Sequence, residues 1–122
     1  KLLGNNYLSK RNSIPVDFSC VRVGTMRCHS QSLVIKLKRE IPISDIEDLI
    51  SNYNEWVQLV PNSKEETIEN LTPVSVAGTL SIGVGRLRKL SFGPEYLGAF
   101  TIGDQLLWGA AEPLRRILKY LS

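Results

Sequence analysis

One histidine, one methionine and two cysteines in 122 residues leave little reactive chemistry to distribute, and each scarcity closes off a class of protein. Cys20 and Cys28 lie along one strand-like run rather than across neighbouring strands. A bridge between them is disfavoured, and reduced thiols of the cytosol fit the composition. No apolar run approaches the roughly 20 residues that cross a bilayer, and no signal-peptide pattern is present. Charge of either sign is also modest, with a net of +3. The basic runs Arg86 to Lys89 and Arg115 to Lys119 are interrupted by leucines at amphipathic spacing, so they read as solvated faces rather than a nucleic-acid surface. No metal site is expected. Internal repeats and low-complexity tracts are absent, and no residue makes a convincing nucleophile. The length suits one domain with its own core. The missing nucleophile, in a chain that opens on Lys1, reads as part of a larger enzyme.

The most informative stretch that is present is Cys20 to Ser30, CVRVGTMRCHS. It places Arg22 and His29 in an otherwise apolar run. A guanidinium is permanently charged and grips carboxylate or phosphate through a planar fork, while an imidazole exchanges protons near neutral pH. Together they read as an anion clamp beside a proton shuttle, half of an active site.

Around this stretch the pattern predicts an α+β layer, with helices on one side of a mainly antiparallel sheet. The amino-terminal residues up to Pro15 read as a loop. Leu33, Ile35 and Leu37 alternate with Ser32, Val34, Lys36 and Lys38, as in a half-buried strand. Ser44 and Glu47 form a capping-box pattern ahead of Ile46, Leu49, Ile50 and Tyr53 at helical spacing. Further strands are expected at Trp56 to Val60, Val74 to Ile82 and Tyr96 to Ile102, and Arg86 to Leu90 also reads as strand. The acidic stretch Lys64 to Asn70 is expected to cross the surface. Asp104 is placed to cap a long final helix, to about residue 121, with a stripe of Leu107, Ala110, Leu114, Ile117, Leu118 and Leu121. Pro113 must kink it or divide it at Glu112.

At these residues the chain resembles the carboxyl-terminal part of bacterial aspartate-semialdehyde dehydrogenase. IPVD, CVRVGTMRCHSQS, IKLKRE, NEWVQLVPN, NLTP, GTLSIGVGRLRKL, GPEYLGAFT and GDQLLWGAAEPLRR are similar to that family in content and order, and only the loop from Gly4 to Asn12 diverges. The resemblance implies a glyceraldehyde-3-phosphate-dehydrogenase-like carboxyl-terminal domain over residues 1–122, for substrate binding and dimerisation. Its final helix, from about residue 104, would return to an absent nucleotide-binding domain. It also implies a cytoplasmic homodimer reducing aspartyl phosphate to aspartate semialdehyde with NADPH and releasing phosphate. That reaction stands at the branch point for diaminopimelate, lysine, methionine, threonine and isoleucine synthesis.

By the same resemblance, Arg22 binds the substrate α-carboxylate, His29 is the general acid and base, and Gln105 contacts NADP through its side-chain amide. The family's nucleophilic Cys lies upstream in a Ser-Asn-Cys setting that this chain lacks. Neither Cys20 nor Cys28 replaces it, because consecutive strand side chains such as Cys28 and His29 point to opposite faces. Two other readings stay open: a non-catalytic dimerisation or binding module, and a reductase acting on N-acetylglutamyl phosphate. One geometric demand follows from the shared site. Seven residues of straight strand would hold Arg22 and His29 roughly 23 Å apart and on opposite faces, so a bend or bulge is expected between them, at Gly24 and Thr25.

Overall fold

A computed structural model of the chain describes residues 14–121. The amino-terminal loop expected before Pro15 lies, through Ser13, outside the described residues. The apolar alternation gives β1 (His29–Lys36), whose Leu33 turns inward while Val34 stands in solvent. There follow α1 (Ile43–Ser51), β2 (Val57–Leu59), α2 (Lys64–Asn70), α3 (Pro73–Val76), β3 (Ile82–Leu90), β4 (Gly93–Gly103), a π-helical turn (Leu107–Ala111) and α4 (Glu112–Leu121). The strands form one sheet in the order β1-β4-β3-β2, antiparallel except for the β2–β3 pair. This is the α+β, mainly antiparallel architecture with a carboxyl-terminal helix that the sequence predicts.

Strand periodicity divides the core into two clusters. Ile46 and Ile50 of α1 pack with Leu33, Val84, Leu87, Leu97 and Ala99. Cys28, Val60, Leu71, Val76 and Ile102 form the other, beneath the α2–α3 pair. Gly83 and Gly85 flank Val84 and face this second cluster. A Cβ on Gly83 would stand 3.0 Å from Ile102 Cγ2 and 3.2 Å from Leu71 Cδ1. The clusters therefore occupy opposite faces, and the short α2–α3 pair refines the one-sided arrangement by covering part of the second face. Leu87 lies two residues beyond Gly85 yet packs with the first cluster, because a bulge intervenes: the register shifts between Gly85 and Arg88, and Arg86 has φ 56°.

Three local expectations are corrected. Val74 to Ile82 is not a strand, for Thr72 is extended and Pro73, its φ preset by the ring, opens α3. The strand begins only at Ile82. Lys64 to Asn70 is a helix rather than a surface crossing, started by Ser63, whose side chain accepts the Glu66 N–H at 3.1 Å. The Ser44–Glu47 capping box does not form, since α1 is capped two residues earlier, at Pro42, and the Ser44 hydroxyl donates to Asp45.

The final helix runs on through Pro113 by way of the π turn, with Glu112 itself in helical conformation. The Glu112 N–H reaches back five residues to the Leu107 carbonyl, and this wider turn accommodates a proline ring that would clash with the Gly109 carbonyl in a regular helix. The inward stripe is Trp108, Glu112 and Arg116. Trp108 donates to the Leu80 carbonyl at 3.2 Å and meets Trp56 edge-on, with ring centroids 5.5 Å apart. The Arg116 guanidinium lies 4.3 Å from the Trp56 centroid and 5.1 Å from that of Trp108. Leu114, Ile117, Leu118 and Leu121, part of the apolar stripe read from the sequence, are exposed. Among the described residues, no helix is long and apolar enough to cross a membrane.

Candidate active site

The chain enters the sheet at His29. Before it, residues 14–28 form no regular strand, and the backbone bends at Gly24 and again at Met26 and Arg27. The expected departure from a straight strand is present, but its sharpest point falls at Cys28, with φ 80°. A left-handed backbone at a non-glycine residue costs about 1–3 kcal/mol. Two anchors oppose that cost: the Cys28 side chain is buried, and its Sγ donates to the Pro73 carbonyl at 3.4 Å. Burial pushes the thiol pKa up, reinforced by Asp104 and opposed by Arg27. A buried, protonated thiol is a poor nucleophile, in keeping with the sequence argument against Cys28. Cys20 is exposed, and both thiols are free.

His29 pairs in register with Gly103 of β4, two residues before Gln105. The sheet thus brings His29 and Gln105 to one end of the molecule from positions 76 apart in sequence. Both are exposed, and neither side chain makes a hydrogen bond or ion pair among the described residues, so imidazole and amide are open to ligands. Arg22 is exposed in the irregular segment. No strand pairing carries it against His29. Among the described residues there is no group of three or more His, Cys, Asp or Glu side chains that could hold a metal ion.

Between Gly103, the strand partner of His29, and Gln105 the chain carries a buried acid. Asp104 has no exposed surface. Its Oδ2 accepts the Gly78 N–H at 2.7 Å and forms an ion pair with Arg27 Nη2, while Oδ1 accepts the Leu106 N–H at 3.1 Å. Burial works to raise its pKa. The hydrogen bonds from Gly78, Arg27 and Leu106, with the Arg27 charge, outweigh burial and hold the carboxyl below its ordinary range. The capping role of Asp104 is legible in GDQLLW. The Arg27 pairing spans 77 positions and has no local signal.

A second buried acid, Glu112, pairs along the final helix. Glu112 accepts from Arg115 Nε and Nη2 at 2.7 and 2.8 Å and from Arg116 Nε at 2.9 Å. The Arg115 and Arg116 hydrogen bonds, opposed by burial, bring its pKa down to about 2. Arg115, read from the sequence as part of a solvated basic run, keeps its side chain exposed while pairing with Glu112, whereas Arg116 of the same run turns in over the Trp56 and Trp108 rings.

The family model described as semialdehyde dehydrogenase, dimerisation domain, matches residues 5–108. The chain is similar to the solved aspartate semialdehyde dehydrogenase from Francisella tularensis, with 48% identity and a TM-score of 0.87 over 91% of this chain and 30% of that one. It therefore spans about a third of that enzyme's length. The fold is shared with aspartate semialdehyde dehydrogenase II from Vibrio cholerae, at 16% identity and a TM-score of 0.63 over 78% of this chain and 27% of that one. A probable aspartate-semialdehyde dehydrogenase from Pseudomonas aeruginosa matches at 15% identity and a TM-score of 0.57, over 66% of this chain and 22% of that one. On the family match over residues 5–108 and the 48% identity over 91% of its length, the chain belongs to the semialdehyde dehydrogenase dimerisation-domain family.

Proposed function

We propose that residues 1–122 are the carboxyl-terminal substrate-binding and dimerisation region of an aspartate-semialdehyde dehydrogenase. The full-length protein converts L-aspartyl 4-phosphate to L-aspartate 4-semialdehyde and phosphate. The observation that carries this reading is the pairing of His29 with Gly103, which sets a solvent-open imidazole beside the start of the helix bearing Gln105. The 48% identity over nearly the whole chain supports it.

In this mechanism the thiolate of an upstream Cys attacks the acyl carbon. Phosphate leaves and the aspartyl group is held as a thioester. His29 takes the thiol proton at the start and manages the proton of the tetrahedral adduct later. Arg22 holds the α-carboxylate through its fork and fixes the reacting carbon. The exposed Gln105 amide, with donor and acceptor both open, suits a nicotinamide carboxamide. NADPH, when bound, supplies the hydride. The edge strand β1, with Val34 65% exposed, suits contact with a second copy in a homodimer.

The test is kinetic, in the full-length protein. His29→Asn should lower kcat by at least about 100-fold with little change in KM, whereas Arg22→Leu should chiefly raise KM for substrates bearing an α-carboxylate. No aspartyl-phosphate reduction by the full-length protein, or indistinguishable kinetics for the two variants, would refute the assignment. The 122-residue chain alone should show no turnover, because its nucleophile is supplied from outside it.

A further inference from the structure

Asp104 is joined to three separate segments. Through Arg27 it holds the residues entering β1, through Gly78 the turn after α3, and through Leu106 the start of the final helix. Its two oxygens accept only inside the protein, and the side chain has no exposed surface. The residues it joins stand next to the open groups: Arg27 lies two positions before His29, and Asp104 lies immediately before Gln105. Between Arg27 and His29 the left-handed backbone of Cys28 turns the chain, while Cys28 Sγ fastens the same point to Pro73. The guanidinium can thus aim inward at Asp104 while His29 enters the strand facing solvent.

We propose that Arg27 and Asp104 are a positioning pair that sets the His29 imidazole relative to the Gln105 amide, and so relative to substrate and cofactor. The proposal rests on the function assigned above. Neither residue touches the reacting atoms. An irregular segment enters the sheet at His29, and strand pairing alone fixes only the backbone from that residue onward. The charge-assisted bond to a buried carboxylate extends the restraint two residues upstream and ties it to the helix that carries Gln105. A displacement of about 1 Å at a reacting group can cost about 100-fold in rate, so a restraint at this place is felt in turnover.

The experiment uses the full-length protein with Asp104→Asn, Arg27→Leu and Arg27→Lys. Asp104→Asn and Arg27→Leu should lower kcat by about 10- to 100-fold. KM for aspartyl phosphate should stay within about 3-fold, since Arg22 stands outside the tether, and KM for NADPH should rise. Arg27→Lys, which keeps the charge, should recover most of the loss. Hydrogen exchange at His29 and Leu106 should quicken in Asp104→Asn while exchange at Leu97 and Ala99 in the middle of β4 is unchanged. Kinetics unchanged within 2-fold, in a wild-type protein that turns over, would overturn the pairing and leave the function intact. No turnover by wild type would instead overturn the function. Exchange then decides whether the tether exists: unaltered exchange at both ends would overturn it, and faster exchange at both would support it.

Discussion

A close contact between β3 and β4 offers a quantitative test. Gly83 and Ile102 are direct cross-strand partners, and a Cβ on Gly83 would meet Ile102 Cγ2 at 3.0 Å. Ile102 is 1% exposed and packs with Cys28, Val60, Leu71 and Val76. Ile102→Ala removes three carbons, worth about 2.4 kcal/mol at about 0.8 each. The cavity left behind brings the expected loss to about 3–4 kcal/mol. Gly83→Ala alone overpacks the same point and should cost about 1–3 kcal/mol. In the double variant the methyl group that obstructed the new Cβ is gone, and the new Cβ fills part of the cavity. The combined loss should therefore fall short of the sum by about 1 kcal/mol or more. Denaturant-dependent hydrogen exchange of β3 and β4 amides in the full-length protein reads each value as a local unfolding free energy. Strict additivity, within about 0.3 kcal/mol, would refute the packing argument.

Other outcomes follow from the two acids and two thiols. Glu112, with its pKa brought from 4.5 to about 2, contributes stability that is present above about pH 4.5 and is lost as pH falls toward 2. Thermal melts of wild type and Glu112→Gln should differ most at neutral pH and converge in acid; a constant difference across that range would count against it. Cys20 should react readily with a thiol reagent in the folded protein while Cys28 stays unmodified until unfolding, and equal rates would contradict the burial of Cys28. Replacing Arg116 by Leu should loosen α4 from the Trp56–Trp108 pair and quicken exchange along 112–121, and unchanged exchange there would count against the contact.

Local chemistry is what the sequence carried well. The alternation around Leu33, the capping role of Asp104 and the helix irregularity forced by Pro113 all depend on residues within a turn or a pleat of one another. The Ser63-to-Glu66 helix start was equally present in the sequence, in a segment whose charge suggested a surface crossing. The family resemblance named His29, Arg22 and Gln105 but contained no distances. Tertiary structure decided the rest. Only strand order could bring His29 beside Gly103, and only burial could turn Asp104 from a helix cap into the partner of Arg27. Only the bulge at Arg86 could send Leu87 to the face opposite Gly85. On the final helix, the wider π turn and the Trp56 ring made Glu112 and Arg116 the inward side and left the leucines bare. Hydrophobic periodicity predicts which side chains share a helix face; which face is covered depends on what the rest of the chain brings against it.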